Sequence, residues 1–223
     1  MELSTNTLQV LKNFAQINSN FVINPGSTLM TMSEAKNILA SANVKESFEQ
    51  KIGVYDLNEL LGVLGLVDTP NLYFTDNYAR VCDSTGRSEV KYYYSDPEML
   101  TSPKKPITMP SCEVKFRLDQ LTLNNIKRAA ATLGHSELAI IPNDGSIRLE
   151  VLDPQNATSN VYSTEIDGEF ESNDFRFIIS ISNLKMIQSS YDVSISKKLI
   201  SEFTSTEMDL QYWVALEKSS TFN

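Results

Sequence analysis

Histidine is nearly absent from this chain of 223 residues, with His135 the only one. Cysteine is almost as scarce. Cys82 and Cys112 stand alone and share no motif spacing. A His-based triad or a His/Cys zinc site needs more material than this. Two cysteines in so long a chain read as reduced thiols in a reducing compartment. No GxGxxG, GxxxxGK or GxSxG occurs, so the common phosphate-cradle and nucleophile-elbow signatures are missing. No apolar run approaches the roughly 20 residues that span a bilayer. The opening "MELSTNTLQVLKNF" lacks the basic-then-apolar form of a signal peptide. Together these absences predict a protein outside membranes, not secreted and without metal or cofactor; they weigh against an enzyme, although carboxylate chemistry needs only two acids.

Positive charge is also short. There are 19 bases against 28 acids, a net charge of -9, and residues 149–175 hold no base at all. Against that background "NNIKRAAATLG" (124–134) sets Lys127 and Arg128 side by side. A hydrophobic content of 41% supplies real cores. The length suits one large domain or two of about 110 residues.

Periodicity predicts a first helix over "LSTNTLQVLKNFAQIN", with Leu8, Leu11 and Ala15 on its buried face beside Phe14 and a cap at Ser4 or Thr5. Thr5, Gln9, Lys12 and Gln16 form its polar stripe. "FVINPGSTLMTM" reads as two strands about a Pro-Gly turn, with further strand sequence to Val54. A second helix begins at Asp56-x-x-Glu59, burying Leu57, Leu60, Leu61 and Leu64. Gly62 and Gly65 weaken it, and close packing on a sheet is one reason to tolerate them. Three strands come next. Then four of the eight prolines fall within residues 95–112, which reads as an interdomain connector.

The pattern then restarts. "LDQLTLNNIKRAAATLG" is a helix burying Leu123, Ile126, Ala130 and Leu133 and ending at Gly134. Arg128 lies almost opposite that face and Lys127 flanks it. "ELAIIPNDGSIRLEVL" is a hairpin turning at Asp144-Gly145. "YSTEIDGEFE" is a strand by alternation, "SNLKMI" a short helix, and three strands close the chain. "INPGSTL" answers "IIPNDGSI", Phe48 answers Phe170, and Tyr92 answers Tyr212, at offsets of about 119 to 122 residues. This series predicts a duplicated α+β unit: domain 1 over 1–94, a connector over 95–112 and domain 2 over 113–223.

"LKNFAQIN" (11–18), "YDLNELLGVLGLV" (55–67), "KPITMP" (105–110), "LAIIPNDGSI" (138–147) and "YWVALEKSSTFN" (212–223) resemble, in order, the sliding clamps of T-even-type bacteriophages, with their PCNA-like fold. The resemblance implies three two-domain subunits closed into a ring, helices inside and antiparallel sheets outside. Such a ring encircles double-stranded DNA without reading its sequence and tethers the replicative polymerase. It further implies a clamp loader, a polymerase C-terminal peptide and late-transcription proteins as partners, and the cytoplasm of an infected bacterium as the place of action.

Lys12, Lys127 and Arg128 read from the sequence as solvated bases on polar helix faces. The resemblance makes them DNA-facing, with Arg128 better placed than Lys127. Thr5 and Ala131 fall on the same stripes where such clamps tend to carry further bases, so the expected hole is less positive. Glu165, Asp167, Glu169 and Glu171 alternate along one strand. They read as a solvated outer face that repels phosphate, a calcium site being the alternative. Clamps generally seat an apolar client peptide between connector and last strand. That arrangement assigns Ile107, Met109, Trp213, Val214 and Ala215 to a pocket, while Trp213 reads equally as core. Two other classes stay open: a duplicated β-rich viral structural or adaptor protein, and a carboxylate enzyme built on "EIDGEFESND".

Overall fold

Helix α1 forms over Thr5–Ile17 because Ser4 caps it, its side chain accepting the Thr7 N–H, and because one side is apolar. The computed structural model describes residues 1–103, 107–156 and 158–223. It divides into two compact units, Met1–Pro106 and Ile107–Asn223. The division falls inside the expected connector, whose residues 104–106 lie outside the described residues.

In the first unit, α1 is followed by β1 (Phe21–Ile23), β2 (Gly26–Met32), β3 (Ile38–Phe48) and β4 (Ile52–Val54). Then come α2 (Leu57–Gly65), β5 (Asn71–Phe74), β6 (Tyr78–Cys82) and β7 (Glu89–Tyr93). The expected Pro-Gly hairpin is not made. β1 pairs with β4, while β2 pairs with β3. The buried side of α1 is Thr7, Val10, Leu11, Phe14 and Ile17, and Leu8 and Ala15 sit at its margin. That rotation arises because Leu8 packs sideways on the Leu64, Val67, Leu72 and Val81 cluster. Each buried aliphatic contributes about 1.5–3 kcal/mol. In α2, Asp56 caps the Asn58 N–H and Leu57, Leu60 and Leu64 are buried, with Leu61 half-buried. Gly62 and Gly65 face open space, not a close neighbour, so packing on a sheet does not explain them.

The second unit opens with β8 (Val114–Leu118) and α3 (Gln120–Leu133), which Asp119 caps through the Thr122 N–H. α3 buries Leu123, Ile126 and Ala130, leaves Leu133 half-buried, and ends on Gly134 in the left-handed region. β9 (Glu137–Asn143) and β10 (Ser146–Leu152) form the hairpin, with Asp144 and Gly145 both at positive φ, 42° and 87°. Two successive positive φ values make a primed two-residue turn that matches strand twist, and Gly145 takes its place without a Cβ penalty. β11 (Tyr162–Ile166), β12 (Gly168–Phe170) and β13 (Phe175–Ser180) follow. The closing strands are β14 (Tyr191–Ser196), β15 (Ile200–Ser205), β16 (Leu210–Ala215) and β17 (Thr221–Phe222). One sheet runs β11-β10-β9-β13-β17. The other contains β12-β8-β14-β15-β16.

The second unit departs from its sequence pattern at two further places. "YSTEIDGEFE" is two strands, since β11 pairs with β10 and β12 with β8. The chain changes sheets at Asp167. Gly168 permits this, because a Cβ there would lie 2.3 Å from Ile147 Cδ1 and 2.8 Å from the Lys115 carbonyl. "SNLKMI" holds only the end of a 3-10 turn, Ile181–Asn183, and its Leu184, Met186 and Ile187 are buried. Three apolar residues so close together leave no polar side for a surface helix.

Candidate nucleic-acid interface

The outward faces of α1 and α3 carry bases and no acid. On α1 the side chains of Thr5, Gln9, Lys12 and Gln16 lie on the side away from the buried Val10, Leu11 and Phe14, and Thr5 and Lys12 are exposed. α1 contains no Asp or Glu, so Lys12 is its only charge. α3 likewise contains no acid; Arg128 is exposed, as is Ala131. Lys127 is half-buried, and burial holds its ammonium below the usual lysine value. Lys127 therefore reaches solvent less than Arg128 does. Lys12 belongs to the first unit and Lys127 and Arg128 to the second, each at the middle of its helix.

Acids are placed elsewhere. Glu165, Asp167, Glu169 and Glu171 are all exposed although the strand breaks between them. Glu165 pairs with Arg148 at 3.3 Å and accepts from Asn143 Nδ2 at 2.9 Å. Among the described residues no group of three His, Cys, Asp or Glu is arranged to hold a metal ion. No described helix is long and apolar enough to cross a membrane.

Strand alternation splits the residues assigned to a client pocket. Val214 lies on the same face of β16 as Tyr212 and has no exposed surface, as expected of a core residue. Tyr212 packs edge-on against Tyr191 at 6.0 Å, and Tyr191 against Phe203 at 6.3 Å. Trp213 and Ala215 point to the opposite face. Ala215, Ile107 and Met109 are half-buried, whereas Trp213 is 4% exposed. Trp213 Nε1 is buried and has no hydrogen-bond partner among the described residues. Such an orphan donor costs about 1–3 kcal/mol.

The connector's far end is pinned to the second unit. Ser111 Oγ lies 2.6 Å from Ser196 Oγ and donates to Glu113 at 3.1 Å. Glu113 also accepts the Lys197 N–H at 2.8 Å and pairs with its ammonium at 3.6 Å. Burial pushes this carboxyl up, but the Lys197 and Ser111 contacts outweigh it and hold it below the usual range. Neither Glu113 nor the N-cap Asp119 was legible as a site residue from composition. A cap motif of Asp-x-x-Thr was the one available signal for the second.

Residues 4–98 match the family model described as DNA polymerase processivity factor, and residues 115–218 match that of the gp45 sliding clamp, C terminal. The chain belongs to the phage sliding-clamp family. It is 30% identical to the sliding clamp of Vibrio phage KVP40 over 222 residues, covering 97% of this chain and 99% of that one. It is 30% identical to the sliding clamp of Escherichia phage RB69 and 29% to that of Enterobacteria phage T4, covering 99% of each chain in both cases. Its fold is similar to that of Proliferating Cellular Nuclear Antigen from Entamoeba histolytica, with TM-score 0.67, 14% identity and 94% of each chain covered. A second similar structure is A. fulgidus PCNA bound by the C-terminal region of FEN-1, with TM-score 0.70, 16% identity and 96% of each chain covered. This clamp is thus a DNA polymerase processivity factor of two clamp-type domains, with no chemistry of its own to perform.

Proposed function

We propose that three copies of this clamp close around duplex DNA, with α1 and α3 turned to the duplex, and hold the replicative polymerase there. The observation that carries this reading is the sign of the two helix faces. Lys12, Lys127 and Arg128 are the only charges on α1 and α3 in a chain of net charge -9. Phosphate neutralisation needs no base readout, and a few long cations attract a duplex without gripping it against sliding. Exposed acids at Glu165, Asp167, Glu169 and Glu171 discourage DNA from the outside.

Ring closure has complementary edges available. β7 pairs only with β6 among the described strands, and it presents Lys91 and Tyr93 outward. β12 pairs only with β8 and presents Glu169. A head-to-tail contact between such edges closes a ring and removes both from solvent. The domains are taken as 1–94 and 113–223, with 95–112 as connector. A polymerase C-terminal peptide would seat on the half-buried Ile107, Met109 and Ala215, with Trp213 forming the floor beneath them. A clamp loader and late-transcription proteins are further clients, all in the cytoplasm of the infected cell.

The test is topological. With a loader and ATP, wild-type clamp accumulates on circular DNA and is lost from linear DNA through its ends, faster as salt rises. Lys12→Glu and Arg128→Glu are each expected to cut loading severalfold, and Lys127→Glu less. Equal retention on the two DNA forms, or unchanged loading by the first two variants, refutes the assignment.

A further inference from the structure

Glu46 is a carboxylate only 9% exposed, near the end of β3, with no salt bridge to it among the described residues. Its Oε1 accepts the Ser4 N–H at 2.5 Å, and its Oε2 accepts the Thr7 hydroxyl. Ser4 is the N-cap of α1, and Thr7, with no exposed surface, bonds back to it through N–H to Oγ at 3.3 Å. The first turn of α1 is therefore closed on a carboxylate delivered from 39 and 42 residues away. Its charge suits that end of the helix dipole, and charge-assisted bonds are about twice as strong as neutral ones.

α3 meets the same need locally. Asp119 accepts the Thr122 N–H at 2.7 Å and the Thr122 hydroxyl at 3.0 Å. α3 is also tied outside itself, by the Gln120 N–H donating to Ser190 Oγ at 3.2 Å, a bond between neutral groups. The tie of α1 to β3 is made by a buried carboxylate and reaches both Ser4 and Thr7. At 3.6 residues per turn, Lys12 stands about 140° around the helix axis from Thr7. Fixing Thr7 and Ser4 on one carboxylate thus fixes where Lys12 points.

We propose that Glu46 is a positioning residue for the DNA contact: by holding Ser4 and Thr7 it sets the roll of α1 and aims Lys12 at the duplex. This rests on the reading that the polar stripe of α1 faces DNA. The experiment measures by anisotropy the equilibrium in which the clamp threads on and off the ends of a short linear duplex, across a salt series that starts at low salt, where the ends lose it most slowly. Thermal melting of the same samples is followed in parallel. Each lost phosphate contact lowers the slope of log affinity against log salt by about 0.9. Lys12→Ala sets the reference loss. Glu46→Gln and Thr7→Val are each expected to lower the slope to that reference value. Adding Lys12→Ala to Glu46→Gln is expected to change nothing more, while adding Arg128→Ala still subtracts its own share. Thr7→Ser, which keeps the hydroxyl, is expected to retain the wild-type slope.

If Glu46→Gln fails to fold, Thr7→Val carries the same prediction with the carboxylate and its Ser4 bond intact. A lowered melting temperature with the wild-type slope, or a full additive Lys12 effect in the Glu46→Gln background, overturns the proposal and leaves Glu46 a stabilising residue only. A Lys12→Ala variant with unchanged slope removes the DNA-facing reading of α1 itself, and the proposal falls with it.

Discussion

The two units repeat one chain order but differ in how each ties its parts together. Tyr92 of β7 and Tyr212 of β16 occupy equivalent places, and each reaches back to the segment that precedes its unit's last three-strand run. The Tyr92 hydroxyl donates to the Asp56 carbonyl at 3.2 Å, at the cap of α2. The Tyr212 hydroxyl accepts the Ile187 N–H at 3.2 Å, just beyond the short 3-10 turn. In the first unit that region is a true helix. In the second it is irregular chain, and a second buried phenol, Tyr191, bonds the Ile187 carbonyl at 2.5 Å. The fold thus tolerates loss of a helix where paired tyrosines satisfy the backbone that the helix would have satisfied.

The sheet faces diverge as well. On β5-β6-β7, Arg80 sits 4.7 Å over the Tyr73 ring and Lys91 5.3 Å over the Tyr78 ring. On β14-β15-β16 the corresponding positions are polar and acidic, with Asp192 beside Arg117 of β8 at 4.0 Å and Glu202 opposite Trp213. The three-strand ladder is common to both units while the surface chemistry differs, because ladders depend on backbone and surface positions carry little of the fold's stability.

The sharpest way to break the comparison is to remove the tyrosine substitute. Tyr191→Ala is expected to cost about 3–5 kcal/mol, read as a shifted midpoint in denaturant unfolding. If the second unit tolerates this without loss, the tyrosines do not replace a helix. Next comes the sheet switch. Gly168→Ala must displace Ile147 and press on the Lys115 carbonyl, and is expected to cost about 1–3 kcal/mol in the same assay.

Alkaline pH bears on both units, since burial also raises the Tyr92 and Tyr94 phenols of the first, but it bears more on the second. Burial pushes the Tyr191 and Tyr212 phenols far above the ordinary value, and the neighbouring phenol adds to this for Tyr191. A raised pKa in the folded state gives stability that is complete below the unfolded value of about 10 and is lost as pH rises above it. Unfolding free energy is therefore expected to fall above pH ~10, at up to about 1.4 kcal/mol per pH unit per phenol, and Tyr191→Phe should flatten that fall. The smallest effect is a gain. Gly62 is helical and faces open space, so Gly62→Ala should stabilise α2 by about 1 kcal/mol in thermal melting.

Much of this architecture is legible in the amino-acid sequence, and the exceptions share a cause. The Leu57, Leu60 and Leu64 spacing announces α2, and Asp144-Gly145 announces the β9–β10 hairpin, because both signals lie within a few residues. Lys12 and Arg128 could be placed on polar faces for the same reason. "STEIDGEFE" misled because its side chains do alternate in exposure straight through the break. Alternation reports which way side chains point, and not which strand accepts the backbone bonds. Period 2 names the face of β16 that Trp213 occupies without saying what covers it, so core and pocket read alike in the sequence.

Local pattern was therefore sufficient for α1, α2 and α3, for most strands and for the sign of the α1 and α3 faces. These arise from short-range periodicity, caps and turn residues, which act within one or two turns of chain. Partner choice needed the folded molecule: β1 with β4 instead of β2, the change of sheet at Asp167, and Glu46 closing the first turn of α1. Each joins residues distant along the chain, and such pairings are selected by the packing of the whole unit, where backbone groups and buried charge must all be satisfied at once.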